Sequence, residues 1–167
     1  MSATHYAVRV QPGELHFNAA HFITFAQTCE NLHGHNFHVR IDARGDNTDD
    51  AFVVDFVQLN RLAAGICAEL HDGVLIPEHN PAVDLVPHDG DMLEIRSYDK
   101  RFILCAASCI RLPVPNTTAE MLARHISDRL LDQLRDTDAL GNLTQLEVAV
   151  EEADRQWGIC CRDLRDD

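Results

Sequence analysis

The stretch Cys29–Ile41, CENLHGHNFHVRI, sets a thiol and three imidazoles against the start of an alternating segment. His33 and His35 are two residues apart. On an extended strand such residues share a face at roughly 6.5 Å spacing, so both rings can reach one point, and Gly34 between them leaves room for a close neighbour. A third imidazole comes from His21, which has the parity of Phe17 in LHFNAAH and therefore its buried face. Three neutral imidazoles at roughly 2.0–2.1 Å, with a fourth position left for water or substrate, make a catalytic zinc centre. Cys29 admits two readings. It is either the fourth ligand of a closed structural zinc or a thiol set beside the metal as base or nucleophile. The plain alternative for any His-x-His pair is a solvated or hydrogen-bonded strand pair. His5, His16, His38, His79, His88 and His125 lack comparable spacing and read as surface or hydrogen-bonded residues.

The elements that must position these groups follow from periodicity. Residues 5–11 and 15–21, split by Pro12-Gly13, and residues 35–42, with Phe37, Val39 and Ile41 on one side, read as half-buried antiparallel strands. Asp55 followed by Gln58 caps a helix whose stripe is Leu59, Leu62, Ala63, Ile66 and Leu70, ending near His71-Asp72-Gly73. A second helix follows Pro115, with Thr117 and Glu120 as a capping box and Leu122, Ile126, Leu130 and Leu134 as its stripe. The last strand carries Leu146, Val148, Val150 and Glu152 on one face. Between the helices, MLEIRSYDKRFILCAASCIRL predicts two strands around Ser97–Lys100, an inserted hairpin at about 77–114. The order predicts an α+β fold, an antiparallel sheet with two helices on one face, as one domain over residues 1–167.

Composition narrows the function. With 14 basic against 27 acidic residues the chain carries a net charge of −13, and Lys100 is its only lysine. That balance argues against nucleic acid and any other partner held through a phosphate backbone. No apolar run approaches the roughly 18 residues of a membrane span, and MSATHYAVRV lacks a signal peptide's basic flank and apolar core, so a cytoplasmic protein without membrane attachment is expected. The six cysteines have no framework spacing and are expected to be reduced, with Cys160-Cys161 too close for an ordinary bridge.

With FNAAH, CENLHGH, FVVDF, NTTAEMLA and VAVEEADRQWG in that order, the chain resembles the 6-pyruvoyltetrahydropterin synthase family, which includes the 6-carboxytetrahydropterin synthases of queuosine biosynthesis. The resemblance covers most of residues 6–75 and 114–161. It implies the tunnelling fold, assembly as a homo-oligomer (a trimer or a hexamer), zinc at His21, His33 and His35, and a catalytic thiol at Cys29. It also implies that Glu152 anchors a reduced pterin through its 2-amino and ring N–H groups. A carboxylate ending an apolar face needs such a partner, unless the strand frays and Glu152 is solvated. Glu120 matches a further family position, although its capping role explains it equally well.

The implied activity is a zinc-dependent lyase acting on a reduced pterin side chain, with dihydroneopterin triphosphate as the usual substrate; the alternative is a non-catalytic zinc-containing pterin- or purine-binding homologue. Two departures bear on this choice. The family's Asp-His relay after the first long helix reads here as His71-Asp72, in reverse order, so either the turn is rebuilt to let His71 reach Cys29 or the relay differs. The inserted hairpin either lines the pocket or serves as an oligomer contact. A triphosphate also requires arginines at the pocket, with Arg9, Arg40, Arg44 and Arg61 as candidates.

Overall fold

In the computed structural model, which describes residues 6–11, 13, 15–137, 140 and 142–165, alternation decides the centre of the main sheet. Strands β2 (His16–His21) and β5 (His33–Gly45) pair antiparallel, placing Phe17 opposite Phe37 and His21 opposite His33. Phe17, Phe37, Val39 and Ile41 are fully buried, and the two phenylalanine rings stack with centroids 4.7 Å apart. Strand β1 (Tyr6–Val10) pairs with the second half of β5; His5 and Pro12, assigned above to this strand and the following turn, lie outside the described residues. On the other side of β5 run β11 (Leu143–Ala153) and the edge strand β12 (Gln156–Asp163), both antiparallel. A two-residue hairpin, β3 (Thr24–Phe25) and β4 (Thr28–Cys29), joins β2 to β5.

Two helices close one face. In α1 (Phe56–Glu69) the Asp55 carboxylate accepts from the Val57 N–H, as the cap signal predicts. Helix α2 (Ala119–Asp136) buries Leu122, Ile126, Leu130 and Leu134 completely. Both helical stripes and the inner residues of β2, β5 and β11 share one apolar core. The α2 cap differs from expectation by one residue. Thr118, not Thr117, is the N-cap, and it accepts from the Met121 N–H. Thr117 is withdrawn from capping because its hydroxyl donates to the Phe22 carbonyl at 2.6 Å. Glu120 consequently stands outside any capping box.

The sheet is mostly, not wholly, antiparallel. Strands β6 (Gly73–Pro77) and β10 (Cys109–Leu112) run parallel to each other, and β6 runs parallel to β2. Such short apolar strands carry no alternation from which direction could be read. The segment between them is larger than the expected hairpin. Strands β8 (Met92–Ser97) and β9 (Lys100–Cys105) form it around Tyr98-Asp99, and β7 (Asp84–His88) extends it to a three-stranded sheet. Ile95 of β8 joins Phe22, Cys29 and Ile76 in a second apolar cluster. All six cysteines are free, and among the described residues no helix is long and apolar enough to cross a membrane.

Candidate active site

Antiparallel register brings His21 opposite His33, and the period of two adds His35 on the same face. The ring centroids lie 4.7 Å (His21–His33), 5.3 Å (His21–His35) and 5.0 Å (His33–His35) apart. Glu152, on the inner face of β11 after Leu146, Val148 and Val150, completes the group: each residue offers one ligand atom, and these lie within 4.8 Å of one another. Its Oε1 is 3.7 Å from His21 Nε2 and 3.6 Å from His35 Nε2.

The surrounding backbone aims the rings. His21 Nδ1 lies 2.9 Å from the Thr117 carbonyl, and His33 Nδ1 lies 2.8 Å from that of Asn31. A carbonyl only accepts, so each Nδ1 carries the proton and each Nε2 presents its lone pair to the centre. Thr117 is clamped in turn by its bond to Phe22, and the Asn116 side chain binds both the N–H and the carbonyl of Thr24. Burial pulls the pKa of His21 down to about 4, reinforced by His33 and His35 against the opposing Thr117 bond, which keeps the ring in its neutral, ligating form. His21 Nε2 is fully buried and has no hydrogen-bond partner. An ion held by the three imidazoles would supply one, so the donor set fits zinc.

Beside this centre is a cavity of about 260 Å³ whose walls include Ile23, Glu120, Glu152, Trp157 and Gly158. Burial raises the Glu152 pKa, opposed by His35 and His33. Freed from the cap, Glu120 stands with Glu152 in one pocket. Gly158 permits this approach: a Cβ there would lie 2.3 Å from both Ala119 C and Glu120 N. Sequence reasoning passed over Glu30, whose Oε2 is 4.0 Å from His33 Nε2. The available signal was its position three residues before a candidate ligand, overshadowed by the adjacent cysteine.

The other candidates stand outside the four grouped residues. Cys29 is 6% exposed within the second apolar cluster, its thiol donates to the Glu30 carbonyl at 3.4 Å, and burial pushes its pKa up. It is not among the four grouped ligands. His71 and Asp72 occupy the turn entering β6. His71 Nδ1 accepts from the Asn18 N–H at 3.3 Å, the Asp72 N–H donates to the Asn18 carbonyl at 2.7 Å, and Asp72 adopts φ 59°. Among the described residues their hydrogen bonds, ion pairs and ring contacts are with Asn18, Ala68, His16 and each other, not with Cys29. Of the four candidate arginines, Arg9 and Arg40 bind Asp42, Arg44 binds Gln145, and Arg61 lines a separate cavity with Phe56. Only Arg40 comes near, over the Trp157 ring at 5.5 Å.

Residues 13–162 match the family model described as 6-pyruvoyl tetrahydropterin synthase. A Methanocaldococcus jannaschii protein, provisionally named 6-carboxy-5,6,7,8-tetrahydropterin synthase, is 30% identical over 149 residues, 89% of this chain and 90% of its own. The Bacillus subtilis protein of that name is 38% identical over 69 residues, 40% of this chain and 44% of its own. Among solved structures, Plasmodium falciparum 6-pyruvoyl tetrahydropterin synthase superposes with a TM-score of 0.90 at 25% identity, covering 97% of this chain and 100% of that one. A Plasmodium vivax counterpart, bearing alanine in place of a catalytic glutamate, gives the same score and coverage at 23% identity. The chain belongs to the 6-pyruvoyl tetrahydropterin synthase family, whose members are lyase-type enzymes acting on pterins.

Proposed function

We propose that this protein is a zinc-dependent lyase acting on the side chain of a reduced pterin such as 7,8-dihydroneopterin triphosphate, with a 6-pyruvoyl- or 6-carboxytetrahydropterin as product. The observation that carries the reading is the unpartnered, buried His21 Nε2 facing two further imidazoles, next to a cavity bearing two carboxylates. His21, His33 and His35 would hold the ion. Bound zinc polarises side-chain oxygens and lowers the pKa of the protons to be moved. Glu152 and Glu120 accept hydrogen bonds from the pterin's amino and ring N–H groups and fix its orientation. Glu30, beside His33, takes the side-chain proton as general base; the Plasmodium vivax enzyme also has a glutamate among its catalytic residues. Cys29 is less suited to that task, because burial favours its protonated form. Assembly as a trimer or hexamer, a cytoplasmic location and a step in queuosine biosynthesis belong to the same proposal.

One observation favours the second reading, a pterin- or purine-binding protein without turnover: His71 and Asp72 bond to the Asn18 backbone rather than to Cys29. The test is incubation of zinc-loaded protein with dihydroneopterin, phosphorylated and not, with products resolved by chromatography and mass spectrometry. Turnover of either, reduced ~10²–10⁴-fold in Glu30→Gln with zinc retained, supports the lyase. Saturable pterin binding without any product rejects it in favour of the binding protein.

A further inference from the structure

Glu152 has two prospective partners. It belongs to the group of four whose ligand atoms lie within 4.8 Å of one another, and it also walls the cavity that suits the pterin. Its present contacts are those of a metal ligand. Oε1 lies 3.7 Å from His21 Nε2 and 3.6 Å from His35 Nε2, and among the described residues no hydrogen bond, arginine or lysine engages the carboxylate. His21 carries its proton on Nδ1, against the Thr117 carbonyl, so its Nε2 and the Glu152 oxygen are two acceptors turned toward one point. Acceptors so placed repel unless a cation lies between them. A proton does not bridge them, since 3.7 Å is too long for a hydrogen bond from a carboxyl group. Donors bonded tetrahedrally to one zinc at roughly 2.0–2.2 Å stand about 3.3–3.6 Å apart, so Oε1 is close to the place of a fourth ligand.

The backbone leaves Glu152 free to turn. Along the β11–β12 pair Glu151 stands opposite Trp157 and Ala153 opposite Gln156, so Glu152 is the extra residue of a β-bulge. On the other side of β11 the ladder with β5 ends at Glu151. A bulge leaves its extra residue unpaired and re-aims that side chain without disturbing the strands beside it. Bidentate recognition of a pterin's 2-amino and ring N–H groups uses both carboxylate oxygens in one plane, so Oε1 has to leave the imidazoles for the ring to be held.

We propose that Glu152 alternates between two partners: without pterin it closes the metal shell as the fourth ligand beside His21, His33 and His35, and with pterin it turns into the cavity and leaves the fourth position to the substrate's side chain. The inference rests on the zinc site and pterin cavity of the proposed function and adds an order of events, in which recognition of the ring uncovers the metal. Without substrate the protein then presents no open position at which water could be activated.

The test measures zinc affinity, by competition with a chromophoric chelator, in the full-length protein and in its Glu152→Gln and Glu120→Gln variants. Loss of a group that merely orients a metal ligand weakens zinc about 10–100-fold, so removal of a ligand in Glu152→Gln is expected to weaken it at least about tenfold. Glu120→Gln removes a charge from the same cavity but no ligand, and is expected to hold zinc as the wild type does. The second probe is unsubstituted pterin, which carries the amino and ring N–H groups but no side chain to reach the metal. Because it competes with the metal for Glu152, a saturating concentration should weaken zinc in the wild type, and by linkage zinc should weaken pterin by the same factor. Zinc held equally by wild type and Glu152→Gln, equal loss in both variants, or zinc affinity that pterin leaves unchanged or raises overturns the proposal and leaves the lyase reading standing. A wild type that binds no zinc overturns both. If Glu152→Gln does not fold, the effect of pterin on zinc in the wild type decides alone.

Discussion

Replacing Thr117 by valine tests whether the clamp behind His21 governs the metal centre. The substitution keeps the shape of the side chain and deletes the hydroxyl, leaving the Phe22 carbonyl, 2.6 Å away, without its buried partner. An orphaned buried acceptor costs about 1–3 kcal/mol, and the zinc-free protein should lose that much stability. The Thr117 carbonyl that holds His21 Nδ1 at 2.9 Å survives the substitution but loses its anchor. Loss of groups that orient metal-bound histidines weakens binding about 10–100-fold. Because the carbonyl itself is kept, the lower end, about tenfold or 1.4 kcal/mol, is expected. Urea denaturation with chelator present measures the first effect, and competition with a chromophoric zinc chelator measures the second. Thr118→Val is the control: it removes the helix cap on Met121 at a cost of about 1 kcal/mol yet touches no ligand, so zinc affinity should stay put. A Thr117→Val protein that loses stability but holds zinc as tightly as the wild type would refute the reasoning, as would equal zinc loss in both variants.

Two further outcomes are expected. With zinc removed, His21 titrates near pH 4 in the folded chain and near 6.5 when unfolded, so between these values the unfolded chain binds the extra proton and stability falls as pH drops. About 3 kcal/mol should be lost across that window and largely spared in His21→Leu; parallel pH profiles of urea midpoints would contradict the assignment. Gly158→Ala forces a Cβ against the Ala119–Glu120 backbone at 2.3 Å, which should cost about 1–3 kcal/mol and loosen pterin binding with zinc retained. An unchanged melting temperature would show that the helix start yields freely.

What the sequence disclosed, and what it hid, divides along local and tertiary lines. The faces of β2 and β5 follow from a period of two, so the convergence of His21, His33 and His35 was legible in the sequence; that Glu152 joins them depends on how β11 pairs with β5, which periodicity does not give. The Asp55 cap was equally local. The α2 cap was not, because Thr117 and Thr118 present the same chemistry and only the Phe22 carbonyl, 95 residues away along the chain, decides between them. The parallel direction of β6 and β10 escaped for a related reason: buried apolar runs do not encode a partner. Glu30 and Cys29 are neighbours whose roles depend on which one turns toward His33, and that follows from the small β3–β4 hairpin rather than from residue type.

The parallel course of β6 and β10 limits how far the chain between them can be trimmed. Parallel neighbours enter at the same end, so the excursion from Pro77 to Cys109 has to travel back along the sheet before re-entering it, which takes roughly a dozen residues even without the small three-stranded sheet. A deletion that spliced Pro77 to Cys109 through a tight turn would reverse β10. The chain leaving Leu112 would then head away from His21, and Thr117 could no longer reach its carbonyl-to-imidazole position. The minimum length of this surface excursion is therefore dictated by His21 on β2, two strands away.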